Sequence, residues 1–238
     1  MILKALRSWR EQRAVERHAI PDALWQLTLL RYPFLARRSE DDLAELRRLC
    51  SLFLSTKEFH GVDGFEVTDE VAVAVAAQAC LPVLRLGLSW YDSFVGIVMH
   101  AGEVVAQRRY EDEDGIVHEY DEELAGEAME GGPLMLAWQA IAVAHVDDVG
   151  DGEADGVPPL DAAERERWIG VIDAEWEKFC ERIDAGEETL IDPYGAEAVE
   201  EFFAVAAEAF FVAPEAMRAE EPAMYGLLAG FFRQDPAA

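Results

Sequence analysis

The run from Thr68 to Cys80, TDEVAVAVAAQAC, limits the folds open to this chain more than any other stretch. Thr68 is a residue type that caps helix starts, and Asp69 and Glu70 suit a first turn. Beyond them the run is alanine and valine with a single Gln78, so a helix here has no polar face. A helix that is apolar all round must be enclosed on all sides. The rest of the chain therefore has to supply several elements to surround it.

The flanking sequence offers them. Residues 1–20 read as a basic helix, and a second begins at Pro21-Asp22, carries Leu24, Trp25, Leu27 and Leu30, and ends at Pro33. Ser39 is placed to cap a third, in which Leu43, Leu46, Leu49, Cys50, Phe53 and Leu54 share one face at spacings of three and four. Gly61 to Gly64 reads as a turn. Strand patterns follow at Phe94–Met99, Glu103–Tyr110, Ile116–Tyr120 and Leu134–Trp138. Ala101-Gly102 suggests a hairpin between the first two, and Asp112–Gly115 a second turn. After Pro159 the pattern is helical again. Trp168, Ile172, Trp176, Phe179 and Ile183 mark one helix ended by Gly186. Another spans about 198–212, and a last one holds Tyr225, Leu227, Leu228, Phe231 and Phe232. Helices, a sheet of about four strands, then helices describe an α+β fold. With no long linker, repeat or low-complexity tract, residues 1–238 read as a single domain, with 1–20 a loosely attached basic helix.

Charge narrows the partners. The 238 residues carry a formal charge of -28. The first fifty hold ten Lys/Arg against seven Asp/Glu, a net +3, so the remainder carries -31. Such a chain is ill suited to nonspecific contact with nucleic acid or anionic membrane. Cys50, Cys80 and Cys180 are odd in number and far apart, as expected of thiols in a reducing cytoplasm. No apolar leader follows the basic N-terminus, and Val71–Leu88 is too interrupted by Gln78, Pro82 and Arg85 to span a membrane.

Three groups could carry chemistry. His118-Glu119-Tyr120-Asp121-Glu122 starts like the HExxH zinc helix, but that motif needs a second histidine where Glu122 stands. It reads instead as a strand edge. His145 with Asp147, Asp148 and Asp151 could gather around a cation, yet the spacing fits no EF-hand and an acidic loop accounts for it. Glu201 and Glu208 lie seven apart, on one face of the helix near 198–212, with Tyr194 seven residues before Glu201. A carboxylate on so apolar a helix is costly unless it is paired, metal-bound or favoured by the helix N-terminus.

Taken in order, FLSTKEFHG (53–61), VAAQACLPVLRLGLSWY (75–91), FVGIVM (94–99), DGIVHEYDEELAGEAMEGGPLMLAW (114–138), ADGVPPL (154–160), LIDPYGAEAVEEFFAVAAEAFF (190–211) and FFRQDP (231–236) resemble the Mlc titration factor A family of zinc-dependent peptidases. These are gluzincins, related to the catalytic domain of anthrax lethal factor. The resemblance implies a small mixed sheet flanked by N- and C-terminal helices. It implies zinc as cofactor, a peptide substrate, and a protein partner, the glucose repressor Mlc, which the family's namesake takes off DNA. By the same resemblance Glu201 matches the third zinc ligand, Tyr194 the oxyanion-steadying tyrosine, and Glu208 a carboxylate supporting the site from further along that helix.

The family's HEFAH helix has no counterpart. In one alignment IAVAHVDDVGDG replaces it, leaving His145 as a ligand, with Ile141 and Ala142 in place of the first histidine and the catalytic glutamate. In the other, favoured because it needs one clean gap, the helix of roughly seventeen residues is missing between Gly152 and Glu153. Either way the general base is gone. The expectation is an inactive pseudopeptidase that binds a protein partner in the cytoplasm. The alternative is a metallopeptidase with unorthodox ligands drawn from His145, Glu201 and a nearby aspartate.

Overall fold

Thr68 caps helix α5 (Asp69–Cys80), its Oγ1 accepting the Val71 N–H at 3.4 Å in the computed structural model. The structure describes residues 2–102, 104–111, 117–124, 126–128, 132–138 and 162–238. Val71 and every residue from Val73 to Cys80 are buried, as an unbroken apolar surface requires. Gln78 is tolerated there because its amide donates to the Ala74 carbonyl at 3.3 Å.

The surrounding elements are those the periodicity predicts. Helix α1 (Ile2–Arg17) lies along α4 (Glu40–Thr56), and both α2 (Asp22–Arg31) and α4 pack on α5. Ser39 caps α4, accepting the Asp42 N–H at 3.1 Å, and α4 buries Leu46, Leu49, Cys50 and Phe53. A four-residue helix, α3 (Pro33–Ala36), begins at Pro33, where the sequence predicts only the end of the preceding helix. Tyr91, at the end of the 3-10 turn Leu88–Tyr91, ties the parts together. Its hydroxyl donates to Ala79 O at 2.7 Å and its ring meets Phe53 edge-on at 5.8 Å.

Strands β1 (Glu58–Gly61), β2 (Gly96–His100), β5 (Gly126–Ala128) and β6 (Leu134–Ala137) form one mixed sheet in the order β1-β2-β6-β5. The first three strands in that order run parallel, and β5 is antiparallel to β6. Register places Phe59, Ile97 and Leu134 side by side, and Gly61, Met99 and Leu136 beside them on the same face. Ile97 and Met99 are fully buried, so this face closes the core.

The hairpin expected across Ala101-Gly102 is not there. Strand β3 (Val104–Glu111) pairs with β4 (Val117–Leu124) in a separate two-stranded ladder. Both edges of β2 are already taken by β1 and β6, which leaves no partner position for β3. The four strands counted from sequence are real. The sheet, however, also recruits β1 and β5, two short segments with no alternating pattern long enough to read.

The C-terminal helices complete the enclosure: α6 (Ala162–Asp184), α7 (Val199–Val212), α8 (Pro214–Glu220) and α9 (Pro222–Phe232). Gly186, at φ 72°, ends α6 in the left-handed conformation that glycine adopts without strain. Trp168 of α6, Phe203 of α7 and Phe231 of α9 meet edge-to-face at 5.2 to 6.3 Å, and Phe210, Phe211 and Phe232 extend the cluster. The fold is α+β, a small mixed sheet set among helices. Among the described residues no helix is long and apolar enough to cross a membrane.

Candidate functional site

Asp192-Pro193-Tyr194-Gly195 folds as its residue types dictate. Pro193 fixes the first position of a 3-10 turn, Pro193–Ala196, and the Asp192 carboxylate accepts the Tyr194 N–H at 2.9 Å. The turn is clamped from two sides. From α6, Trp176 Nε1 donates to Gly195 O at 2.9 Å. From α7, Phe202 and Val205 approach so closely that a Cβ on Gly195 would lie 3.0 Å from Phe202 Cα and 2.8 Å from Val205 Cγ2. Only glycine lets the turn lie this flat on α7. Tyr194 is thereby held at the surface, 38% exposed, immediately before the helix that carries the two glutamates.

Glu201 sits in the first turn of α7, where the unpaired N–H groups of a helix start favour a negative charge. Glu208 lies two turns further along. Burial pushes its carboxyl above the ordinary glutamate range, and the Asp192 carboxylate adds to the shift. Asp192 is the residue that spacing alone did not single out. Its only signal was its place before Pro193, and it both shapes the turn and bears on Glu208.

His118 and Glu119 lie in β4, opposite Tyr110 and Arg109 of β3. A strand cannot bring positions i and i+4 to one metal as a helix turn does, so this segment is no zinc helix. His145, Asp147, Asp148 and Asp151 lie outside the described residues.

Zinc sites take three or four protein ligands. Among the described residues no three His, Cys, Asp or Glu side chains converge on one point. His60 has Glu58 at 3.9 Å and His100 has Asp63 at 3.9 Å, each a single carboxylate on or beside the sheet. On α7, Glu201 has no histidine on its own helix or in the preceding turn. The described residues do not fit a zinc ion.

The sequence profile of the glucose-regulated metallo-peptidase M90 family matches residues 6–233. An uncharacterised protein of Synechocystis sp. is 33% identical over 248 positions, covering 96% of this chain and 89% of its own. Mlc titration factor A of Escherichia coli O1:K1 is 32% identical over 245 positions, covering 96% and 91%. The protein of the same name in Enterobacter sp. (strain 638) is 33% identical over 235 positions, covering 91% and 88%. Two of these alignments are longer than the 238-residue chain. Since 96% of the chain is about 228 residues, about 20 positions of the Synechocystis protein, and about 17 of the Escherichia coli one, face no residue here.

Proposed function

This chain belongs to the glucose-regulated metallo-peptidase M90 family, and we propose that it keeps the family scaffold without the hydrolytic chemistry. In this reading it is a regulator that binds a transcriptional repressor of the Mlc type. One observation carries the proposal. The five histidines stand at 18, 60, 100, 118 and 145, so no two are four residues apart and no HExxH can exist in this sequence.

The relatives' unmatched positions support the same reading. They are about as many as the roughly seventeen residues expected to be missing between Gly152 and Glu153. Zinc hydrolysis needs ligands to hold the ion and a base to activate water. Loss of an acid/base group alone removes ~10²–10⁴ in rate. Loss of two ligands with it leaves Glu201 as the sole family ligand on α7, too few to retain the metal. Tyr194 and Glu208 then stand as remnants of a site. The binding role takes its support from the name of the enterobacterial relatives, Mlc titration factor A.

Metal content and turnover test the first half. Purified protein is expected to carry far less than one zinc per chain and to leave aminopeptidase reporter substrates intact. Stoichiometric zinc together with chelator-sensitive cleavage would overturn it. Calorimetric titration with a repressor of the Mlc type from the same organism tests the second half, and absence of saturable binding would remove the proposed partner.

A further inference from the structure

A cavity of about 550 Å³ opens between α4 and the segment 86–95, distinct from the Tyr194–Glu208 region and independent of the reading above. Leu52 and Phe53 from α4, Leu86 and Leu88 at the 3-10 turn, and Phe94 and Val95 before β2 give it an apolar wall, and Glu11, Arg48, Lys57 and Asp92 supply its charged groups. Size and lining are those of a small-molecule site.

The two cations in the lining, Lys57 and Arg48, differ in their partners. Lys57, the residue that ends α4, donates to the carbonyls of Tyr91 and Phe94, and its Nζ stands 3.9 Å from the centre of the Phe94 ring. Those three contacts are with neutral groups. Among the described residues no carboxylate lies within 4.0 Å of the ammonium. Asp92 favours the charge from further away, but burial outweighs it and draws the Lys57 pKa below the usual lysine value. Arg48, the other cation in the lining, is already neutralised by a two-point pair with Glu45 at 2.8 Å, with Glu11 at 4.0 Å. A half-buried cation next to an apolar wall favours a ligand that brings one anionic group and an apolar body. The large negative charge of the whole chain does not prevent this, because salt screens charges beyond ~8 Å.

We propose that this cavity binds an amphiphilic monocarboxylate, with the carboxylate against Lys57 and the apolar body along Leu52, Leu86 and Leu88. Calorimetric titration of the full chain with decanoate and with 1-decanol, both below their aggregation limits, tests it. Decanoate is expected to bind saturably at one per chain, about tenfold or more tighter than the alcohol, the preference a charge-assisted contact gives. Lys57→Met should abolish that preference, and Leu88→Trp, which fills the cavity, should weaken both probes. The proposal is overturned if the wild type shows no saturable decanoate binding, if the alcohol binds as tightly, or if Lys57→Met keeps the preference. Should Lys57→Met fail to fold, the wild-type ratio of the two probes still decides.

Discussion

Glu208 is a carboxylate held where its charge is disfavoured, by burial first and by Asp192 second. Its folded-state pKa therefore lies above the unfolded one. Its contribution favours folding below the ordinary glutamate range and is withdrawn as pH rises through the folded value. Glu208→Gln is accordingly expected to raise the melting temperature near neutral pH, with the difference from wild type closing toward about pH 4. Equal melting curves at both ends of that range would mean that the carboxylate is not strained. Gly195 makes the opposite kind of residue-scale prediction. A methyl group there meets the α7 backbone at Phe202 Cα, which cannot move aside as a side-chain tip can. Gly195→Ala is expected to cost about 1–3 kcal/mol, as overpacking does, measured by urea unfolding. Both positions lie in the DPYG-to-α7 unit, so the geometry around Tyr194 depends on close packing as well as on the turn sequence.

At the scale of elements, sequence and structure agree where a local signal exists and part where it does not. Ser39 and Thr68 start α4 and α5 because each side-chain oxygen takes an N–H that the helix leaves unpaired. Ser39→Ala is expected to cost about 1 kcal/mol in urea unfolding, and a value near zero would show that the tertiary packing of α4 holds its first turn without the cap. The periodic faces of α4 and α6 are buried as their spacing requires, at Leu46, Leu49, Cys50 and Phe53 and at Trp168, Ile172 and Phe179. Strand partnership is different. Nothing within Phe94–Met99 says that both edges of β2 will be taken by β1 and β6, segments nearly forty residues away on either side. A turn-like Ala101-Gly102 suggested the neighbouring strand as partner, and non-local pairing prevailed over it. The short helices α3 and α8 and the short strands β1 and β5 carry too few residues for either period to register.

For the whole molecule, the question is what holds the fold together. The core answers it for the described residues. Helix α5 is enclosed, one sheet face is closed by Ile97 and Met99, and the aromatic cluster joins α6, α7 and α9. If the gap lies between Gly152 and Glu153, inserting there the unmatched segment of the Escherichia coli relative should create a zinc site with Glu201. The grafted protein is expected to bind about one zinc per chain by elemental analysis, and Glu201→Gln in the graft should remove it. A graft that folds and stays free of zinc would show that the missing helix belongs elsewhere.

The sequence by itself determined the longer helices, the caps of α4 and α5, the enclosure of 68–80, the family, and the absence of HExxH. Each of these is written in residue type and short-range spacing, which act through local hydrogen bonds and through one face of one element. Only the tertiary structure decided the sheet order, the separation of the β3–β4 ladder, the clamp on Gly195, the effect of Asp192 on Glu208 and the cavity at Lys57. Those depend on which distant segments come to share a surface. That choice is made by the packing of the whole chain, where burial and charge are set by neighbours that no local pattern names.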